Sequence, residues 1–275
     1  MRWLLLFFFL CAIAGPAEGA AVRGSVGERT YRVVVPEGGG ADVRRPVVVV
    51  LHVGGDRESG ATIAAQTGFD AEARARGWIA VYPDARGGRF QVDGFAIDRR
   101  PWPTPREELA FVRRVVARVG DRHRIDRARI VATGFSNGGF LAYALACERE
   151  PLVRAIAVVG TTETLRRCGA AKAERAVSVL HVHARDDATL PLARGIRGWP
   201  SPLQTVRRWR TRHRCTGWRG VESSGVTRWN ATRCRENALV AFTELHAGGH
   251  GWPAGLTTEI GTFLSATIAS RRIAQ

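Results

Sequence analysis

The residues best suited to chemistry are a serine set between glycines, an aspartate pair and a histidine in a glycine loop. Gly134-Phe135-Ser136-Asn137-Gly138-Gly139 carries the spacing G-x-S-x-G. Glycines there permit a strand-to-helix turn sharp enough to push a serine hydroxyl clear of the backbone. A serine hydroxyl is a weak nucleophile. It needs a histidine base, and the base needs a carboxylate to fix its tautomer. Downstream lie Asp186-Asp187 and Gly248-Gly249-His250-Gly251, in the order serine, acid, histidine. Ser136, Asp187 and His250 are the expected catalytic set, with Asp186 and His246 as near competitors. Such a set attacks an acyl carbon. The charge that builds on the acyl oxygen needs backbone N–H donors. The Asn137 amide, at a helix start, is one. The other is expected in His52-Val53-Gly54-Gly55.

Alternating strands and helices must position these groups. Thr30 to Val35 predicts an early strand, and the β-branched run Val47 to His52 a strand buried on both faces. Ile63 to Arg76 has a helical pattern, and Trp78 to Tyr82 reads as a strand stopped by Pro83. Thr104-Pro105-Arg106-Glu107 is a helix start with a capping box, followed by Leu109, Val112, Val116 and Val119 on one face. Arg129 to Phe135 is a strand and Gly138 to Cys147 a helix, which gives the serine its required setting. Ala155 to Val159, Val177 to His183 and Leu239 to His246 are further strands. Gln204 to Arg214 and the segment from Leu256 to Ile268 are helices. This alternation predicts an α/β domain with a mostly parallel sheet covered on both faces. Arg86 to Pro103 and Gly195 to Pro202 read as surface loops, the first over a site edge.

Composition narrows the class. The chain has 275 residues, 45% of them hydrophobic, enough for a full core without metal or staples. Its net charge is +16, yet the 41 basic residues include a single lysine, Lys172. Arginine is spread along the whole chain rather than clustered, so no nucleic-acid partner is expected. Met1 to Ala21 has the layout of a signal peptide: Arg2, then an apolar run from Trp3 to Ala14, then small residues around Gly19. Residues 22–275 are expected to form one catalytic domain, secreted or periplasmic, with no membrane span after cleavage. Setting Cys11 aside leaves Cys147, Cys168, Cys215 and Cys234. An even number in an exported chain reads as disulfides, and pairing between sequence neighbours is expected. Their spacing suits no metal site, and no cofactor is expected.

With these residues in place, the chain resembles the extracellular polyhydroxybutyrate depolymerase and feruloyl/acetylxylan esterase group of α/β-hydrolases. The resemblance runs from about Tyr31 to Pro253. It is carried by Leu51-His52, Val81-Tyr82-Pro83, Thr133 to Gly139, Ala146-Cys147, His183 with Asp187 and Pro191, and Gly248-Gly249-His250 with Trp252-Pro253. It implies an α/β-hydrolase fold and a serine carboxylic-ester hydrolase acting on an ester substrate. The family's acid stands four residues before a proline, which implies Asp187 with Pro191. Its histidine in Gly-Gly-His before Trp-Pro implies His250. Where the family has glycine after its oxyanion-loop histidine, this chain has Val53, so Val53 or Gly54 is the expected donor. Where the family often has aspartate before the middle helix, Glu107 and Glu108 stand here. His52, Trp102, Trp199 and Trp252 are candidates to line an acyl pocket. Two rival readings are another acyl-transfer enzyme on this scaffold, and an exported binding protein whose oxyanion hole Val53 blocks. The sequence selects neither acyl group nor oligomeric state.

Overall fold

The computed structural model describes residues 21–38, 42–92, 103–164, 168 and 175–269. The signal-like segment up to residue 20 and Trp102 lie outside them. In chain order the elements are β1 (Val22–Val26), β2 (Arg29–Val34), β3 (Arg45–Leu51), α1 (Gly60–Thr67), α2 (Phe69–Ala75), β4 (Ile79–Pro83), α3 (Pro105–Arg122) and β5 (Ile125–Phe135). They continue as α4 (Asn137–Ala146), β6 (Ala155–Val159), β7 (Ser178–Ala184), α5 (Pro202–Arg212), β8 (Thr216–Ser223), β9 (Val226–Thr232), β10 (Val240–Leu245) and α6 (Leu256–Ala269).

The strands form a single sheet in the order β1-β2-β4-β3-β5-β6-β7-β10-β9-β8. From β4 to β10 every neighbouring pair is parallel. The antiparallel pairs β1–β2–β4 and β10–β9–β8 close the two ends. Side-chain alternation along each central strand divides the core. Val47, Val49 and Leu51 face one layer, built with α3, α4 and Trp209 of α5. Val48 and Val50 face the other, built with α1, α2 and α6. A strand buried on both faces needs apolar residues at every position, which is what the run from Val47 to Leu51 supplies.

Helix α3 starts as its sequence dictates. Thr104 Oγ1 accepts from the Glu107 N–H at 3.2 Å, and the Glu107 carboxylate accepts from the Thr104 N–H at 2.6 Å. Its neighbour Glu108 is buried, where its carboxylate accepts from Arg29 at 2.8 Å and from the Gln91 N–H at 3.2 Å.

One expectation needs correction. The helix expected over Ile63 to Arg76 is two helices, broken at Gly68, whose φ of 65° is left-handed. Thr67 contributes to the break, because its hydroxyl accepts from the Phe69 N–H at 3.3 Å. The hairpin β8–β9, not among the expected elements, extends the sheet beyond β10. Strand β8 is polar and almost wholly exposed, so hydrophobic alternation does not mark it. The available signal was Ser224-Gly225 between two extended runs, with Gly225 at a φ of 73°.

Candidate active site

Ser136 sits between β5 and α4 with φ 50° and ψ −110°, a conformation costly for any residue with a side chain. The surroundings hold it there. Its N–H donates to Val159 O at 2.9 Å, and Thr161 Oγ1 donates to its carbonyl at 2.9 Å. The flanking glycines are steric necessities. A Cβ on Gly134 would lie 2.5 Å from the Gly138 carbonyl carbon, and one on Gly139 would lie 2.6 Å from Thr161 Cγ2.

Asp187 and His250 come from the ends of β7 and β10. These strands pair in parallel, with Leu245 opposite Ala184, so the loops that follow leave the sheet side by side. His250 Nδ1 lies 2.8 Å from Asp187 Oδ2. Donation of that N–H to the carboxylate leaves Nε2 with its lone pair, the form a general base requires. The other Asp187 oxygen accepts from the N–H groups of Thr189 at 2.9 Å and Leu190 at 2.8 Å. Burial alone would raise the Asp187 pKa. Hydrogen bonds from His183, His250 and the Leu190 amide outweigh it and hold the carboxyl well below its usual range. The His250 ring lies against Phe135, the residue before Ser136, with centroids 5.1 Å apart. Gly160 leaves room for it, since a Cβ there would sit 3.3 Å from two ring atoms.

The competitors have other partners. Asp186 accepts from the N–H groups of Gly248 at 3.3 Å and Gly249 at 2.8 Å, gripping the loop that carries His250. His246 Nε2 lies 2.9 Å from Thr227 Oγ1.

The segments expected to supply the oxyanion donors follow β3 and open α4. A Cβ on Gly54 would come 3.1 Å from Asn137 Cβ, so the loop after β3 lies directly against the start of α4. The Asn137 side chain is held by Phe90, accepting from its N–H at 2.8 Å and donating to its carbonyl at 2.9 Å. That leaves the Asn137 backbone amide, at the positive end of α4, for developing charge. Val53 packs against the core layer shared by α1, α2 and α6.

His52, expected in a substrate pocket, is instead wholly buried. Its Nδ1 donates to the Val53 carbonyl at 2.7 Å and its Nε2 accepts from the Ala85 N–H at 3.1 Å. Burial pushes its pKa down, which keeps it neutral for both bonds. Because a trans peptide sets N–H opposite C=O, pinning the Val53 carbonyl also aims the Gly54 N–H. His52→Leu strands both partners. The expected result is a loss of roughly 1–3 kcal/mol in stability and about tenfold or more in kcat, with KM little changed. Thermal melts and steady-state kinetics check it.

Trp199 is also corrected: it is buried and packs on Phe140 with centroids 4.7 Å apart. Trp252 is half-buried. Its ring meets Phe135 edge-on, its Nε1 donates to Thr257 Oγ1 at 3.0 Å, and it helps line a surface cavity of about 650 Å³ with Gly68 and Glu72. The disulfides are Cys147–Cys168 and Cys215–Cys234, neighbours in sequence as expected. Among the described residues Cys147, Cys168 and Glu163 come close enough to suggest a metal cluster. Both sulfurs are consumed by the disulfide, and Glu163 faces Arg208 and Arg212.

The sheet order with helices on both faces is that of the α/β-hydrolase fold. Residues 109–208 match the family model described as Phospholipase/Carboxylesterase. Feruloyl esterase C of Emericella nidulans is 30% identical over 119 residues, 43% of this chain and 43% of that protein. A probable feruloyl esterase C of Aspergillus oryzae is 27% identical over 62% of this chain and 59% of its own length. The chain thus matches about half the length of these curated relatives. Among solved structures, the acetyl xylan esterase from Aspergillus awamori superposes with a TM-score of 0.66 at 12% identity, covering 90% of this chain and 99% of that one. A Bacillus cereus carboxylesterase gives 0.57 at 13% identity, over 88% and 95%. The family resemblance read from the motifs is borne out by these relatives.

Proposed function

We propose that this chain is a secreted serine carboxylic-ester hydrolase. The observation that carries the reading is the His250–Asp187 hydrogen bond beside the strained turn at Ser136. Ser136 Oγ attacks the ester carbonyl while His250 Nε2 takes its proton. The oxyanion that forms is stabilised by the Asn137 amide and an amide of the Val53-Gly54 loop. Collapse of this intermediate breaks the bond to the alcohol oxygen, which receives the proton from His250. Water, deprotonated by the same histidine, then hydrolyses the acyl-enzyme and frees Ser136. Asp187 keeps the imidazole in one tautomer and balances its charge when it becomes an imidazolium. Packing of Val53 on the core favours an open oxyanion hole over the blocked one of a mere binding protein.

The relatives named as feruloyl and acetylxylan esterases point to aryl-acyl or acetyl esters of plant polysaccharide as substrates. Two disulfides agree with export. The oxidised mature protein is expected to hydrolyse p-nitrophenyl acetate and butyrate, and then to separate methyl ferulate from acetylated xylan. A folded protein that turns over none of these esters would overturn the reading.

A further inference from the structure

Behind Asp187 the triad continues into the core. His183, on the same face of β7 as His181, places Nε2 2.7 Å from the Leu190 carbonyl and 3.3 Å from Asp187 Oδ2. His181 Nε2 lies 3.3 Å from His183 Nδ1, and Tyr143 of α4 places its hydroxyl 2.7 Å from His181 Nδ1. All four side chains are buried, none more than 3% exposed. Buried polar groups are hydrogen-bonded, and each of these atoms has a partner within the chain to which its proton can be assigned.

Only one arrangement with both imidazoles neutral satisfies every contact. A carbonyl and a carboxylate can only accept, so His183 must carry its proton on Nε2. Its Nδ1 is then an acceptor, and His181 must supply a proton from its own Nε2. His181 Nδ1 is left as an acceptor, and the Tyr143 hydroxyl donates to it. Every donor points towards Asp187.

We infer that Tyr143, His181 and His183 are positioning residues, a one-way relay of hydrogen bonds that orients the Asp187 carboxylate from inside the core. The inference rests on the proposed catalytic role of Asp187, but the proton assignment does not. Tyr143 is on the helix that starts at Ser136, and Asp187 is bonded to His250. The relay therefore ties the helix of the nucleophile to the acid through the interior. The surrounding groups keep Tyr143 and His181 neutral. Phe242 of β10 flanks His181 and Trp209 of α5 flanks Tyr143. Burial and the neighbouring His183 push the His181 pKa well down. Burial and the charge of Glu163, against the opposing Arg212, push the Tyr143 hydroxyl well up. At the far end Asp187 and His250 are the facing titratable groups.

The test uses the full mature chain labelled with ¹⁵N in histidine. Long-range ¹H–¹⁵N spectra from about pH 5 to 9, around the ordinary histidine value, report tautomer and titration together. His181 and His183 are expected to show the Nε2–H tautomer, and His181 no titration. Either ring as the Nδ1–H form, or His181 titrating in that range, overturns the relay whether or not the protein is an esterase.

Kinetics separate positioning from filling space. His183→Leu is expected to lower kcat by about tenfold or more. It also leaves Asp187 with one donor fewer and more charge to offer an imidazolium. The acid limb of kcat/KM then moves up by a few tenths of a pH unit. His183→Gln is expected to restore both, because its amide can accept from His181 and donate to Leu190 O. A uniform loss with an unmoved limb, or no rescue by glutamine, overturns the positioning role. If His183→Leu fails to fold, Tyr143→Phe removes a single hydroxyl. It takes the donor from His181 Nδ1 but leaves the Nε2–H of His181 set by His183, so His181 is expected to keep the Nε2–H tautomer, and its loss overturns the relay.

Discussion

Ser136→Ala is expected to leave a folded protein whose kcat/KM for p-nitrophenyl esters has fallen by about 10⁴-fold or more. The nucleophile is lost, while the oxyanion donors and any binding contacts remain and supply residual rate over water. Ser136→Gly makes the same point and adds a second. At φ 50° and ψ −110° the backbone penalises a side chain that glycine does not carry. Ser136→Gly should be equally inactive yet more stable, by on the order of 1 kcal/mol, as read from thermal or denaturant melts. An active alanine variant would remove the proposed nucleophile. A glycine variant less stable than wild type would mean that the turn is not strained.

The second large effect is expected at Gly138. A Cβ there would lie 2.1 Å from the Leu51 carbonyl oxygen and 2.7 Å from that of His52. These are backbone atoms at the end of β3, and no side chain can swing away to relieve the clash. Gly138→Ala must push α4 off the strand that leads into the oxyanion loop. Overpacking of this kind costs roughly 1–3 kcal/mol. Here the displacement falls on the two amides proposed to share the oxyanion. Activity should therefore fall by about a hundredfold, more than the stability change explains. Circular dichroism melts beside steady-state kinetics separate the two. Unchanged kcat in a folded Gly138→Ala would show that the spacing between β3 and α4 is not catalytically important.

How much of this was legible depended on how local each feature is. The turn at Ser136 is written in consecutive residues, with Gly134 required by the Gly138 backbone of the same unit, although Gly138 and Gly139 are required by β3 and Thr161. The capping box at Thr104 and the doubly buried run from Val47 to Leu51 are likewise local. The division of labour between Asp186 and Asp187 is not. Adjacent residues point opposite ways, and only the neighbouring loop decides which meets His250 and which meets the Gly248 and Gly249 amides. His52 misled because a polar residue at the end of a strand looks exposed, whereas the fold closes over it and uses both ring nitrogens. Trp199 misled in the same way. Tyr143, His181 and His183 carry no motif at all. Their relation exists only once α4 is laid on β7.

The two disulfides have a consequence for how the chain matures. Cys147 closes with Cys168, 21 residues on, and Cys215 with Cys234, 19 residues on. The loops neither overlap nor nest. Either wrong connectivity among four cysteines needs a partner from the other loop. A chain entering an oxidising compartment from its N-terminus presents each cysteine's proper partner next. The order of arrival then specifies the native bonds, and the first bridge can form before the cysteines of the second have emerged.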